Sequence, residues 1–227
     1  MSLNLVFGAT GYLGNALKKG LENEKKISLG VSRKDTQGKL LKLEVKSDLN
    51  NWKIEKESVT GVIWAQGLNA NDSVESFDRD SFNEIINANI AYIINTLNWM
   101  LESNFISNGA RLVIISSIWE KTSRANKLSY SVSKSALSGL VKSLAIDLAK
   151  KQISVNSVLP GVIDSPMTHN NLTKNQISQI VDGTPLGKLV TAEMITNVCS
   201  FLLSEKSLGI TGQSILVDGG WTNSRFI

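Results

Sequence analysis

The apolar run from Leu3 to Phe7 passes directly into Gly8-Ala9-Thr10-Gly11-Tyr12-Leu13-Gly14. A strand that feeds such a turn and then a helix leaves a chain few ways to fold. Glycines permit the tight bend, let a pyrophosphate approach the backbone, and let helix and strand pack closely. The helix N-terminus adds free N–H groups and the positive end of its dipole. The spacing therefore predicts a dinucleotide-binding turn that uses Gly8, Thr10, Gly11, Tyr12, Leu13 and Gly14.

The rest of the chain repeats the strand-then-helix theme. Short apolar runs mark strands at Leu3 to Phe7, Ile27 to Val31, Leu40 to Val45, Gly61 to Ala65, Arg111 to Ser116, Ile153 to Val158 and Ser214 to Val217. Amphipathic segments between them predict helices at Tyr12 to Asn23, Arg79 to Ser103, Tyr130 to Lys150 and Ala192 to Leu203, with a lid-like segment from about Met167 to Val181. This alternation predicts an α/β fold, a Rossmann-type doubly wound sheet of seven parallel strands flanked by helices. With 227 residues, 42% of them apolar, the chain suits one domain spanning residues 1–227. All three prolines, Pro160, Pro166 and Pro185, fall between the sixth and seventh strands. Irregular structure is expected there, and residues 165–190 are the expected cover of a ligand crevice.

Charge and composition exclude several classes. The net charge is +4, but the lysines are scattered in pairs such as Lys18-Lys19 and Lys150-Lys151 with acids among them. No basic block points to nucleic acid. No apolar stretch approaches the ~20 residues that span a bilayer, so a soluble cytoplasmic protein is expected. The single cysteine, Cys199, reads as a buried apolar residue, and no metal is expected.

Tyr130 and Lys134 stand four residues apart, thirteen residues after the serine pair Ser116-Ser117 that closes the fifth strand. On a helix they share one face. A nearby cation favours phenolate and makes the phenol a usable proton donor and acceptor, while a strand-end serine can hold the oxygen that receives the proton. Three tyrosines and many lysines make such a pair common by chance, so the motif needs company. The second strand ends in Ser32-Arg33-Lys34, where an acidic residue would bind the ribose hydroxyls of NAD. Hydroxyl and guanidinium suit a 2′-phosphate, which favours NADP(H) over NAD(H), with Asp35 pulling the other way.

At this point the chain resembles the short-chain dehydrogenase/reductase family from Leu3 to Trp221, in the single-domain branch that includes the 3-oxoacyl-(acyl carrier protein) reductases. Asp48-Leu49, Trp64-Ala65-Gln66-Gly67, Asn87-Ala88-Asn89-Ile90, Asn156 to Ile163, Thr211-Gly212-Gln213 and Asp218-Gly219-Gly220 follow the family's order and spacing. The resemblance implies a catalytic tetrad of Asn89, Ser117, Tyr130 and Lys134. It further implies that Asp48, Leu49, Ala65, Gln66 and Gly67 lie along the adenosine half of the cofactor, and that Pro160, Gly161, Ile163, Ser165 and Met167 lie along the nicotinamide half. In relatives the tyrosine exchanges a proton with substrate oxygen, the serine binds that oxygen, the lysine holds the nicotinamide ribose, and the asparagine keeps a relay water. Two departures stand out. Gly8, Gly11 and Gly14 follow the spacing of the family's nucleotide-sugar branch, and Trp64 and Gln66 replace small or amide residues.

The leading expectation is an NADPH-dependent reductase of a small carbonyl, or dehydrogenase of the matching alcohol. A sugar-nucleotide oxidoreductase or epimerase is the first rival, and a non-catalytic NADP-sensing protein the second. Lys121, Arg124 and Lys127 precede Tyr130 and are candidates to attract an anionic substrate, against the plainer reading of a solvated loop. His169, the one histidine, is expected at the surface. Relatives pair through the two long helices, which implies a homodimer or homotetramer.

Overall fold

The computed structural model describes residues 3–24, 26–32, 41–42 and 55–224. β1 (Leu3–Phe7) pairs in parallel with β2 (Ile27–Ser32) on one side and with β4 (Val59–Trp64) on the other. β3 (Leu41–Lys42), β5 (Ile106–Ile115), β6 (Ser154–Pro160) and β7 (Ser214–Val217) complete a parallel sheet in the order β3-β2-β1-β4-β5-β6-β7. The order reverses direction at β1 and β4. In such sheets the crevice beyond the strand ends at that reversal is where ligands bind.

Both sheet faces are covered, so successive residues of one strand enter different cores. Leu5, Phe7, Val62, Trp64, Leu112 and Ile114 join Tyr92, Leu97, Met100, Leu137 and Val141 on one side. Val6, Ile63 and Val113 join Leu17, Leu21, Ile195, Cys199 and Leu202 on the other. The first core is lined by α3 (Tyr92–Glu102) and α4 (Leu128–Asp147), with α2 (Arg79–Ile86) leading into α3; the second is lined by α1 (Tyr12–Asn23) and α7 (Ala192–Leu202). Trp64 is fully buried in the first core, stacked on Phe7 at 5.6 Å, and its indole Nε1 donates to Thr96 Oγ1 at 2.9 Å. This unusual residue is therefore a satisfied core group. Cys199 is buried as expected, and burial pushes its thiol pKa up, away from thiolate chemistry.

Three expectations are corrected. The long helix expected from Arg79 to Ser103 is broken by a π-helical turn, Asn87–Ala91, in which Tyr92 N–H bonds Asn87 O. Such single-turn bulges often mark functional positions, and this one carries Asn89. The helix expected from Tyr130 begins at Leu128 and stops at Asp147; a 3₁₀ turn, Ala149–Lys151, and left-handed Gln152 (φ 56°) then turn the chain into β6. The lid-like segment is two short helices, α5 (Pro166–Asn171) and α6 (Lys174–Asp182). Thr173 and Gln176 form a capping box that starts the second one. Most of the expected third strand, like Arg33, Lys34, Asp35, Asp48 and Leu49, lies outside the described residues.

Candidate active site

The glycine turn closes on itself and on the end of β4. Gly8 adopts φ 79°, and a Cβ there would stand 2.7 Å from Gln66 N. A Cβ on Gly14 would stand 2.2 Å from Gly8 O, so α1 could not approach β1 with any larger residue. Gly11 caps α1, with Thr10 just before it and Leu13 in the first turn of the helix. The Tyr12 phenol crosses from the first turn of α1 to donate to Asp164 O at 3.0 Å. Ser32 is the last residue of β2, on the far side of the same turn.

Ala65 N–H bonds Phe7 O at 3.0 Å, which draws the residues after β4 against the glycine turn. Both amide atoms of Gln66 are buried without a hydrogen-bond partner. Unpaired buried amides are costly and call for a missing partner. A bound dinucleotide would supply one here, so the residues present fit that group. A Cβ on Gly67 would lie 2.9 Å from Asn89 Oδ1 and 3.8 Å from Lys134 Nζ. Residues 65–67 thus form a continuous bridge from the phosphate turn to the expected tetrad.

Asn89 is buried in its π turn. Its Nδ2 donates to Leu68 O (3.0 Å) and Ser133 Oγ (2.9 Å), and its Oδ1 accepts from Leu68 N (2.7 Å). Ser117 lies two residues past the end of β5 and caps the following 3₁₀ turn, its Oγ accepting from Trp119 N at 3.3 Å. Tyr130 lies in the first turn of α4, its phenol within the influence of the Ser117 hydroxyl. Lys134 is buried one turn further on, and its Nζ donates to Ile115 O at 3.1 Å and lies 5.6 Å from the Tyr130 ring centre. The four expected residues are therefore gathered, by β5, α4 and the π turn, at the strand ends.

The electrostatics differ from the expectation that Tyr130 ionises easily. Burial pushes its phenol pKa up from the ordinary value, and the Ser117 hydroxyl pulls the other way. Burial also pushes Lys134 down to about 8, with Glu120 opposing. Lys134 is thus still mainly an ammonium at neutral pH.

The nicotinamide-side residues follow β6. Pro160 is its last residue, and Gly161 N–H bonds Val217 O at 3.0 Å where a Cβ would meet Asp218 Cα at 2.9 Å. Ile163 bridges to Val190. Ser165 caps α5 through Thr168 N at 3.3 Å, and Met167 stands 66% exposed on that helix. His169 pairs with Asp164 at 2.7 Å, both well exposed, in keeping with a surface role. Of the three cations before Tyr130, Lys121 lies 3.5 Å from Glu120, Arg124 lies over the Trp119 ring, and Lys127 is buried. Lys127 is thus no steering charge in a solvated loop.

Sequence reasoning missed Asp72 and Ser133, and saw Lys127 only as a candidate steering charge. The Asp72 carboxylate caps α4 from another segment, accepting from Ser129 N at 3.1 Å and from Ser129 Oγ. Ser133 Oγ donates to Tyr130 O at 2.8 Å and receives Asn89. No local signal marks Asp72 as a cap, since its partners follow 57 positions later.

A glycine turn at the sheet's reversal point, joined by residues 65–67 to a Ser-Tyr-Lys group whose serine and lysine are buried, defines a nicotinamide-dependent oxidoreductase. Residues 50–222 match the family model described as Enoyl-(Acyl carrier protein) reductase, and the chain belongs to the short-chain dehydrogenase/reductase family. It is 29% identical to the 3-oxoacyl-(acyl carrier protein) reductase FabG of Rickettsia felis, over 96% of this chain and 95% of that protein. Among solved structures, a short chain dehydrogenase family protein from Francisella tularensis superposes with a TM-score of 0.83 at 26% identity, covering 99% of this chain and 100% of that one. A putative 2-deoxy-D-gluconate 3-dehydrogenase from Agrobacterium tumefaciens, solved with bound NADP, shares the fold with a TM-score of 0.87 at 22% identity, covering 98% and 97%.

Proposed function

We propose that this enzyme moves hydride between NADP(H) and a small carbonyl or alcohol, with Tyr130 as general acid and base. The observation that supports the reading is the bridge Gly8–Gln66–Gly67–Asn89/Lys134, which brings the glycine turn near Asn89 and Lys134. Bound nicotinamide supplies or accepts the hydride. In the reducing direction the Tyr130 hydroxyl gives its proton to the carbonyl oxygen, and the Ser117 hydroxyl donates a hydrogen bond to the same oxygen as charge develops. The Lys134 ammonium offsets the phenolate left behind and holds the nicotinamide ribose. Asn89, with both amide hydrogens engaged, keeps one lone pair of Oδ1 for a relay water.

Gly8, Thr10, Gly11, Tyr12, Leu13 and Gly14 would hold the pyrophosphate. Ala65, Gln66, Gly67, Asp48 and Leu49 would hold the adenosine half, and Pro160, Gly161, Ile163, Ser165 and Met167 the nicotinamide half. Ser32, Arg33 and Lys34 would select NADP through its 2′-phosphate, the cofactor bound by the Agrobacterium protein. Equal affinity for NADPH and NADH, or an unchanged preference in Arg33→Ala, would defeat that selection.

Residues 165–190 would cover the substrate. The Rickettsia relative, a 3-oxoacyl-(acyl carrier protein) reductase, favours a 3-oxoacyl thioester. The spacing of Gly8, Gly11 and Gly14 favours a sugar nucleotide as the second reading. Consumption of NADPH with 3-oxoacyl thioesters, simple ketones and keto-sugar nucleotides separates the two. No turnover with any of them would instead favour a sensor. Ile94 on α3 and Val132 on α4 are 43% and 44% exposed and suit a homodimer or homotetramer built on those helices. A cytoplasmic location goes with this reading.

A further inference from the structure

Among the described residues, the charged groups under a tenth exposed are Glu120, Lys127, Lys134 and Asp218. Asp218 is occupied, accepting from Gly220 N at 2.9 Å and Thr222 N at 2.8 Å to hold the turn after β7. Lys134 and its neighbour Glu120 belong to the site already described. Lys127 has no assigned work.

Its Nζ donates to Asn69 Oδ1 at 2.7 Å and Ala70 O at 3.1 Å, both neutral acceptors. Tying that loop to α4 needs donors, and a neutral amide would do it without the cost of desolvating an ammonium. The position of the charge is informative. Lys127 Nζ lies 5.4 Å from the centre of the Tyr130 ring, as near as Lys134 Nζ at 5.6 Å. Tyr130 therefore stands between i−3 and i+4 lysines, both buried.

We propose that Lys127 is a second cationic positioning residue for Tyr130, so that the phenolate formed on proton transfer is held by two ammonium groups. This rests on Tyr130 being the general acid and base. The arrangement suits a partly buried phenol whose own surroundings oppose ionisation, beside a Lys134 that loses its proton from about pH 8. Other charged groups bear on the pair. Burial and then Arg124 hold the Lys127 pKa below its ordinary value, while Asp72, in the loop before α2, pulls the other way. Glu120, on the turn after β5, favours the Lys134 ammonium, and Lys121 lies beside Glu120. Ser117 donates no net charge.

The chain has only three tyrosines, Tyr12, Tyr92 and Tyr130, so tyrosinate absorbance can be assigned by subtracting the Tyr130→Phe protein. The test titrates that absorbance in the intact protein with NADP⁺ present, and measures kcat/KM against pH in the oxidising direction. K127Q should raise the Tyr130 transition, and the acid limb of kcat/KM, by about one pH unit, from Coulomb attraction at this range. K127R should restore both. Asn69→Ala removes an acceptor of the loop clamp but keeps the charge, so its transition should stay in place. If K127Q lowers kcat or stability while both transitions stay, or if Asn69→Ala shifts them equally, Lys127 is only a clamp and the proposal fails. K127M gives the same readout should K127Q not fold. Full turnover by Tyr130→Phe would instead overturn the general-acid reading, and the absorbance titration, which needs no turnover, would still decide Lys127.

Discussion

The floor of the crevice and the segment proposed to cover it, residues 165–190, are built on opposite principles. On the floor, Asn89, Ser133 and Lys134 are buried and joined through Leu68, Tyr130 and Ile115 by hydrogen bonds of 2.7 to 3.1 Å. In the cover, α5 and α6 bury no residue, and Met167 and Leu186 are 66% and 68% exposed. A proton-transfer group must hold its geometry to fractions of an ångström, and packing together with satisfied polar networks does that. A surface that meets varied substrates gains from weak tethering. The difference teaches where changes in chemistry and changes in selectivity should separate.

The largest effect should come from the floor. Tyr130→Phe keeps the ring and removes the acid, so steady-state assays should show kcat/KM lower by about 10²–10⁴-fold with stability little altered. Near-normal rates would break the assignment of a catalytic floor. Beneath it, Trp64→Ala removes a fully buried indole stacked on Phe7 and bonded to Thr96. Urea unfolding should register a loss of about 3–5 kcal/mol. A loss under about 1 kcal/mol would mean that the floor is not held by this core.

Lys134 tests the floor by pH. Its folded pKa is about 8, against 10.5 when unperturbed. Below pH 8 both folded and unfolded forms hold the proton, and the burial penalty is constant. Between 8 and 10.5 the unfolded chain binds more protons, so stability rises with pH. Relative to Lys134→Met, the cofactor-free protein should gain about 3 kcal/mol across that window in denaturant titrations. A flat difference would contradict the burial of a charged lysine.

The cover should respond more weakly. Thr173→Ala deletes the capping box of α6 and should cost about 1 kcal/mol locally, seen as faster amide exchange in 174–182 with exchange in α4 unchanged. Smallest in stability is Met167→Ser, expected within about 0.5 kcal/mol of the parent. Its KM for substrate should change more than its kcat. If kcat fell as far as in Tyr130→Phe, the division between floor and cover would be gone.

Much of this was legible in the sequence because its signals are local. The glycine turn joins adjacent elements, and Tyr130 and Lys134 are one helical turn apart, so periodicity placed both. The alternating apolar runs foretold a sheet buried on two faces, and β1 matches its expected range from Leu3 to Phe7. Other features depend on partners distant in the chain. Asp72 caps a helix that begins at Leu128, and Asn89 meets Ser133 across 44 positions. The π turn at Asn87–Ala91 has no period of its own within an amphipathic run. Lys127 looked like a loop charge because burial is not written in residue type.

The sequence by itself determined the fold class and the glycine turn, which follow from spacing along the chain; it brought Tyr130 and Lys134 forward as a helical pair, and Asn89 and Ser117 through the family resemblance. Only the tertiary structure decided how those groups are tuned. It buried Lys134 and much of Tyr130, which pushes the ammonium down and the phenol up, and it brought Lys127 to the other lysine's distance from the ring. Desolvation and through-space charge depend on what surrounds a group in three dimensions, and spacing along a chain does not specify that.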